Sequence, residues 1–217
     1  MNEYNQFVDL FLNALNNVEQ EYFETQYNQF YALRDRLRTF GYYRGQRFIR
    51  HSERGFAYEL YFQTRMLIER TRENQLFFPN YYLQGEIKKM NLFQVRGIFG
   101  YGDLGGNLIP DLLFHIPSQD ANAFVIEIKA QPELEEIEML YDLNKLSRFL
   151  NNYNYQKSIF LAVNISHEEV ENMIRNNREN ITNLFTEERL SDCRIIVKLN
   201  SYGGEIFNKT LQEIINE

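Results

Sequence analysis

Charged side chains interrupt two apolar segments that otherwise have the composition of buried β-strands. Both lie within residues 109–131, IPDLLFHIPSQDANAFVIEIKAQ. Asp111 falls in the first segment, and Glu127 and Lys129 fall in the second. Because an unpaired carboxylate is costly in a buried strand, each acid needs a cation, a hydrogen-bond donor or a metal ion as its partner.

Strand alternation places Val125, Glu127 and Lys129 on one face of the second segment. The opposite face is wholly apolar and consists of Phe124, Ile126, Ile128 and Ala130. If the first segment pairs alongside, Asp111 brings a second carboxylate to the charged face, where the two acids repel unless a cation lies between them. Mg²⁺ commonly binds through one or two carboxylates and keeps several waters. One such water could attack a phosphodiester, while the lysine orients it or stabilises charge on phosphorus.

This pattern, Pro110-Asp111 followed by Glu127-Ile128-Lys129, resembles the signature of the PD-(D/E)XK phosphodiesterases. That family includes restriction endonucleases and many repair, recombination and phage-defence nucleases. The resemblance covers roughly residues 53–200. It implies an α/β three-layer fold, with a mixed central β-sheet flanked by helices. It also implies that Asp111 and Glu127 hold Mg²⁺ or Mn²⁺ and that Lys129 assists the attacking water, and it favours DNA over RNA as the substrate.

Members of this family often have a further acid in the helix that precedes the core sheet. Glu59, within FAYELYF, matches this position and has apolar neighbours, so it is predicted to join the metal site. Gln63 lies one turn later on the same face and could assist a water or a phosphate. Lys145 is the polar candidate on the helix after the third strand. Glu86 could replace Glu59, although a cross-strand pair with a lysine is the alternative.

Each of these residues also has a structural interpretation. Asp111 could be a turn residue, and Glu127 could form a same-face ion pair with Lys129. All of these structural interpretations would have to be true at the same time for there to be no functional site. One metal ion, by contrast, explains Asp111, Glu127, Lys129 and Glu59 at once. The resemblance therefore favours a nuclease in restriction or phage defence, working with companion subunits. The alternative is a catalytically inactive module of the same fold that binds nucleic acid or protein.

Hydrophobic periodicity predicts the elements that position these residues. Helices are predicted over residues 4–37, 53–74, 134–150, 167–185 and 209–215. Strands are predicted over residues 81–88, 108–116, 123–130, 158–165 and 194–199. The short polar connection PSQDAN favours antiparallel pairing of the strands it joins. The whole order favours a mixed sheet with helices on both faces, divided into an N-terminal helical extension (1–52) and a nuclease-like domain (53–217).

Charge is segregated along the chain, whose net charge is −7. Residues 34–54 contain seven arginines and two acids, with aromatic residues interleaved, whereas residues 1–33 contain five acids and no base. Arg44, Arg47 and Arg50 are predicted to contact a nucleic-acid backbone. The alternative is a solvated arginine-rich turn that the acidic N-terminal helix neutralises.

Composition limits the class of protein and the kinds of site that the chain can contain. The 217 residues are 44% apolar, without a run of roughly 18 apolar residues that could span a bilayer. With no leader pattern at the N-terminus, a cytoplasmic location is expected. Cys193 is the only cysteine, which excludes an internal disulfide and a multi-thiolate zinc site. The apolar face of the first helix predicts a homodimer.

Overall fold

The computed structural model describes residues 2–26, 49–85, 109–117, 119, 121–200 and 204–217. Its helices are α1 (Glu3–Asn17), α2 (Gln20–Phe23), α3 (Glu53–Arg72), α4 (Glu136–Asn152), α5 (His167–Asn176), α6 (Arg178–Leu184), α7 (Glu187–Leu190) and α8 (Leu211–Asn216). Its strands are β1 (Thr25–Gln26), β2 (Ile49–Arg50), β3 (Tyr82–Gly85), β4 (Leu112–Ile116), β5 (Ala121–Lys129), β6 (Tyr155–Val163), β7 (Cys193–Lys198) and β8 (Phe207–Thr210). The predicted α/β class is confirmed.

Six strands form one mixed, open sheet in the order β3-β4-β5-β6-β7-β8. The β3–β4, β4–β5 and β7–β8 pairs are antiparallel, and the β5–β6 and β6–β7 pairs are parallel. The antiparallel β4–β5 hairpin was predicted from its short polar connection. The parallel pairs need longer crossovers, which α4 and then α5 to α7 supply.

The two faces of β5 pack against different helices. Phe124, Ile126 and Ile128 belong to a hydrophobic cluster that includes residues of α1 and α3. Val125 belongs to a second cluster, which α4 shares. The predicted alternation of β5 is therefore confirmed, and Glu127 and Lys129 follow Val125 towards the α4 side of the sheet.

Helix α1 is part of the sheet's own core. Phe7 and Phe11 are fully buried. The ring centroid of Phe7 lies 4.6 Å from that of Phe114 and 4.3 Å from that of Phe124. The apolar face of residues 3–17 is thus covered within the chain, so it gives no reason to expect a homodimer. The boundary drawn at residue 52 does not separate α1 from the core.

The first helix ends much earlier than predicted. It stops at Asn17, and the chain is extended at Val18 before the single turn of α2. Asparagine and β-branched valine are weak helix formers, and the break allows Val18 and Phe23 to be buried. Residues 27–37 of the predicted helix lie outside the described residues.

The C-terminal third also departs from prediction. The predicted helix over 167–185 is divided at Asn177. The predicted helix over 209–215 begins only at Leu211, because the preceding residues form edge strand β8. The sequence FNKT has no apolar alternation that would indicate a strand. No helix in the described part of the chain combines the length and apolarity needed to cross a membrane.

Candidate active site

The β4–β5 register brings Asp111 and Glu127 together. Leu112 pairs with Ile126, so one further step along the antiparallel register places Asp111 beside Glu127. The Asp111 carboxylate oxygen Oδ2 accepts a hydrogen bond from the backbone N–H of Ile128 at 2.7 Å. The expectation that these two carboxylates meet across adjacent strands agrees with this arrangement.

Glu127 is only 2% exposed and is paired with a lysine of α4. Its Oε2 accepts a hydrogen bond from Lys145 Nζ at 2.5 Å. Lys145 Nζ also lies 3.4 Å from Asp142 Oδ1 and from the carbonyl oxygen of Ile109. Glu127 Oε1 is buried and receives no hydrogen bond from the described residues. A buried carboxylate oxygen without a donor is a ready ligand for a cation or a water.

Lys129 is held by a different acid. Its Nζ lies 3.2 Å from Asp142 Oδ2, the distance of an ion pair. The sequence suggested a same-face ion pair between Glu127 and Lys129. In the structure each of them pairs instead with a residue of α4, Glu127 with Lys145 and Lys129 with Asp142. Asp142 thus contacts both lysines.

Glu53 reaches this group from the first residue of α3. The helix starts there because Ser52 Oγ accepts a hydrogen bond from Gly55 N–H at 3.2 Å, as an N-cap does. The Glu53 carboxylate is close enough to the Ala130 backbone N–H and to Lys129 for both to favour its charge. We call Glu53, Asp111, Glu127, Lys129, Asp142 and Lys145 the acid–lysine cluster.

Burial and mutual repulsion disfavour the charged form of the acids. Burial raises the pKa of Asp111 to about 6, against the opposing effects of Ile128 N–H and Lys145. Burial, followed by the proximity of Asp111, raises the pKa of Glu127 well above its usual value. Burial likewise raises the pKa of Glu53. These acids would gain from an additional positive charge.

The lysines remain protonated at neutral pH. Burial opposes the charge of Lys129, but the carboxylates of Asp142 and Glu53 outweigh burial and raise its pKa. Burial also opposes the charge of Lys145, which Glu127 and Asp142 more than offset. Both lysines can therefore donate hydrogen bonds.

A cleft of about 550 Å³ opens beside the cluster, between α3 and the β3–β4 edge of the sheet. Glu53, Arg54, Tyr58, Tyr61 and Asp111 contribute to its walls. The volume is within the usual range for small-ligand sites, about 300 to 1,000 Å³. Two cluster acids are thus accessible to a bound molecule.

Of the predicted accessory residues, Glu59 and Gln63 lie away from the cluster, whereas Lys145 belongs to it. Glu59 Oε1 accepts a hydrogen bond from Gln63 Nε2 at 2.6 Å. With 3.6 residues per turn, these two residues lie about 180° around α3 from the centre of the helix arc that lines the cleft. Glu53 is therefore the α3 acid that lies with Asp111, while Lys145 directly contacts Glu127.

Most of the predicted nucleic-acid contacts fall outside the described residues. This applies to Arg44 and Arg47, and also to the alternative acid Glu86. Arg50 lies in β2, where its backbone is opposite Thr25 of β1. The neighbouring His51 Nδ1 donates to the carbonyl oxygen of Phe23 at 3.0 Å, which fixes the chain just before α3 begins.

Sequence reasoning missed Glu53 and Asp142. Glu53 was counted as an acid of the arginine-rich segment and as the first residue of the helix predicted over 53–74, but it was not assigned to the site. Asp142 occupies the apolar face of α4, between Met139 and Leu146 at helical spacing, and is 3% exposed. The rule that singles out Glu127, an acid at a buried position, would have identified Asp142 as well.

The donor set fits a hard divalent cation. Asp111 and Glu127 supply oxygen ligands, and four acids with two lysines leave a formal charge of −2 on the cluster. Among the described residues, no three His, Cys, Asp or Glu side chains gather around one point. This geometry fits binding through one or two carboxylates with waters completing the shell, as is usual for Mg²⁺.

No protein-family model matches the chain, and neither curated proteins nor solved structures gave a match. The fold and the site define an α/β protein with a buried acid–lysine cluster next to an open cleft. The assignment to the PD-(D/E)XK family remains a prediction from the sequence motif.

Proposed function

We propose that the chain is a divalent-metal-dependent nuclease of the PD-(D/E)XK type that hydrolyses phosphodiester bonds in DNA. The observation that carries this proposal is the buried pair Asp111 and Glu127, which has raised pKa values and an unsatisfied oxygen beside protonated lysines. Acids with strongly perturbed pKa values next to a cleft are more typical of functional sites than of structural ones.

Two acids would hold the ion. Asp111 and Glu127 would be the ligands for Mg²⁺ or Mn²⁺, and Glu53, which lines the same cleft as Asp111, takes the place beside the site first given to Glu59. A bound ion would make a water nucleophilic at neutral pH and stabilise negative charge on the phosphate. The raised pKa values of the acids mean that they bind the ion most readily once they have lost their protons.

The lysines supply positive charge and orientation. Lys129, protonated and held by Asp142, donates a hydrogen bond to the attacking water or to the phosphate oxygen on which charge develops. Lys145 holds the Glu127 side chain in place through the 2.5 Å contact and is a positioning residue. The proton lost by the attacking water goes to solvent.

The arginine-rich segment leads directly to this site. Arg50 precedes α3 by three residues, and Arg54 lines the cleft. Contacts from Arg44, Arg47 and Arg50 to the DNA backbone are proposed from their place in this segment of the sequence. Roles in restriction or phage defence, a cytoplasmic location and companion subunits are proposed from the family resemblance alone.

DNA cleavage tests the proposal. The purified chain should cleave DNA, supplied both as a plasmid and as a single-stranded circle, with Mg²⁺, and Glu127→Ala or Lys129→Ala should lower the rate at least about a hundredfold. Circular dichroism should show that both variants remain folded. Lys157→Ala, which breaks a partly buried ion pair on the same sheet outside the cluster, is the matched control and should cleave normally. Undiminished cleavage by both site variants would refute the assignment.

A second candidate function is a catalytically inactive binding module. It is favoured by the two crossed ion pairs, which neutralise Glu127 and Asp142 without any metal. Such a module would bind nucleic acid or protein and would not cleave any DNA.

Thermal melting with metal separates the two candidates. For the nuclease, Mg²⁺ at a hundredfold excess over its Kd should stabilise the fold by about 2.7 kcal/mol, a rise in Tm of about 5 to 10 °C. The rise should largely vanish at about pH 5, because the raised Asp111 pKa of about 6 lets protons compete with the ion. Glu127→Gln should also remove it. An unchanged Tm with Mg²⁺ and Mn²⁺ at about pH 8, without cleavage, would favour the binding module.

A further inference from the structure

Large side chains are exposed along one face of α3. Tyr58 is 55% exposed and Phe62 is 53% exposed. With 3.6 residues per turn, they share an arc of about 100° with Arg54, Tyr61 and Arg65. We call these five residues the aromatic stripe. Two exposed rings of this size are the kind of surface at which proteins bind ligands.

The aromatic stripe is continuous with the candidate active site. Arg54, Tyr58 and Tyr61 line the cleft, and the same cleft reaches Asp111. From Arg54 to Arg65 the stripe runs about 16 Å along the helix axis. A ligand on the stripe would therefore extend directly from the reacting group.

The chemistry of the stripe suits unpaired bases. Rings and guanidinium planes stack on the faces of bases, while arginines also attract phosphates. Arg65 Nη1 donates a hydrogen bond to Tyr61 Oη at 3.2 Å, which holds a guanidinium beside a ring. A duplex conceals its base faces and offers phosphates and groove edges, for which exposed rings such as Phe62 bring no advantage.

We infer that the cleft and the aromatic stripe bind a single strand of DNA, with bases next to the scissile phosphate stacked on Tyr58 and Phe62. This inference rests on the proposed function for the chemistry that follows binding. Binding itself can be measured without cleavage, so the two can fail separately.

Fluorescence anisotropy in EDTA, where no metal-dependent cleavage occurs, tests the inference. A labelled oligothymidine should bind the full chain at least about tenfold more tightly than a duplex of equal length. The double variant Tyr58→Ala/Phe62→Ala should weaken single-strand binding by at least about tenfold and duplex binding by less than about twofold. Tyr58→Phe keeps the ring and should bind normally. Leu76→Ala removes an 83% exposed side chain outside the stripe and is the matched control.

Three results would overturn the inference. The first is equal affinity for the duplex, and the second is unchanged binding by the double variant. The third is a concentration-dependent dimer that dissociates in the double variant, because the stripe would then bind a second copy. Ring-dependent single-strand binding without Mg²⁺-dependent cleavage would uphold this inference and refute the nuclease proposal.

Discussion

Asp111→Asn is expected to abolish DNA cleavage and, at about pH 8, to make the chain more stable. The asparagine oxygen can still accept the hydrogen bond from Ile128 N–H, which is 2.7 Å long in the native chain. The substitution removes only the negative charge, whose burial raises the pKa to about 6. A carboxylate that is needed for catalysis but destabilises the fold should show this combination of lost activity and gained stability when it is neutralised.

The sign of the stability effect follows from the direction of the pKa shift. The Asp111 pKa rises from 3.8 in the unfolded chain to about 6 in the folded chain, so the folded state holds the proton more tightly. The favourable contribution is complete below the unfolded pKa and is lost as pH rises through the folded pKa. At about pH 8 the charged carboxylate costs about 1 to 3 kcal/mol, allowing for screening by solvent. The variant should recover this amount.

Urea unfolding at about pH 8 and below about pH 3.8 measures the effect. The gain should appear at the higher pH and disappear at the lower one, where the aspartate is neutral in both states. Asp192→Asn is the matched control, because Asp192 pairs with Lys157 and Arg189 and should lose a little stability. A less stable Asp111→Asn chain at about pH 8 would contradict the electrostatic account.

Lys145→Ala is expected to destabilise the fold by about 3 to 5 kcal/mol at about pH 8. It leaves the 2% exposed Glu127 without its 2.5 Å partner. The loss should be smaller at about pH 5, because the already raised Glu127 pKa lets the acid become neutral. Mg²⁺ should stabilise this variant more than the native chain, since the ion replaces the missing charge.

Lys157 provides a control that tests whether burial of the ion pair causes the loss of stability. Lys157 Nζ contacts Asp192 Oδ1 at 2.6 Å, nearly the distance of the Lys145 pair, but its side chain is 35% exposed. Lys157→Ala should therefore cost less than about 1 kcal/mol. Equal losses in the two variants, measured by urea unfolding, would show that burial is not the cause.

The central part of the candidate site could be predicted because β5 has covered faces on both sides. Its apolar residues must alternate between two hydrophobic clusters, so the direction of Glu127 and Lys129 follows from their positions in the chain. Asp111 joins them because a short connection fixes the β4–β5 register. For these three residues, strand alternation and a short connection are sufficient to predict which side of the sheet each side chain occupies.

Other features of the site and the fold could not be predicted, because they depend on contacts between residues that are far apart in the sequence. Glu53 approaches Asp111 only because α3 packs on the sheet with its first turn at the end of β5. The end of α1 at Asn17 depends on space in the core for Val18 and Phe23. Strand β8 pairs with an existing edge, and its sequence carries no signal of its own.

The sequential order of the sheet has a consequence for how the chain folds during synthesis. Every strand from β3 to β8 lies beside its neighbours in sequence, so the sheet can grow by adding one strand at a time. Phe7, by contrast, packs on Phe114 and Phe124, which leave the ribosome more than a hundred residues later. Helix α1 can pack on α3 once that helix has emerged, but Phe7 lacks these two ring partners until the β4–β5 hairpin follows, which leaves apolar surface open to aggregation during synthesis.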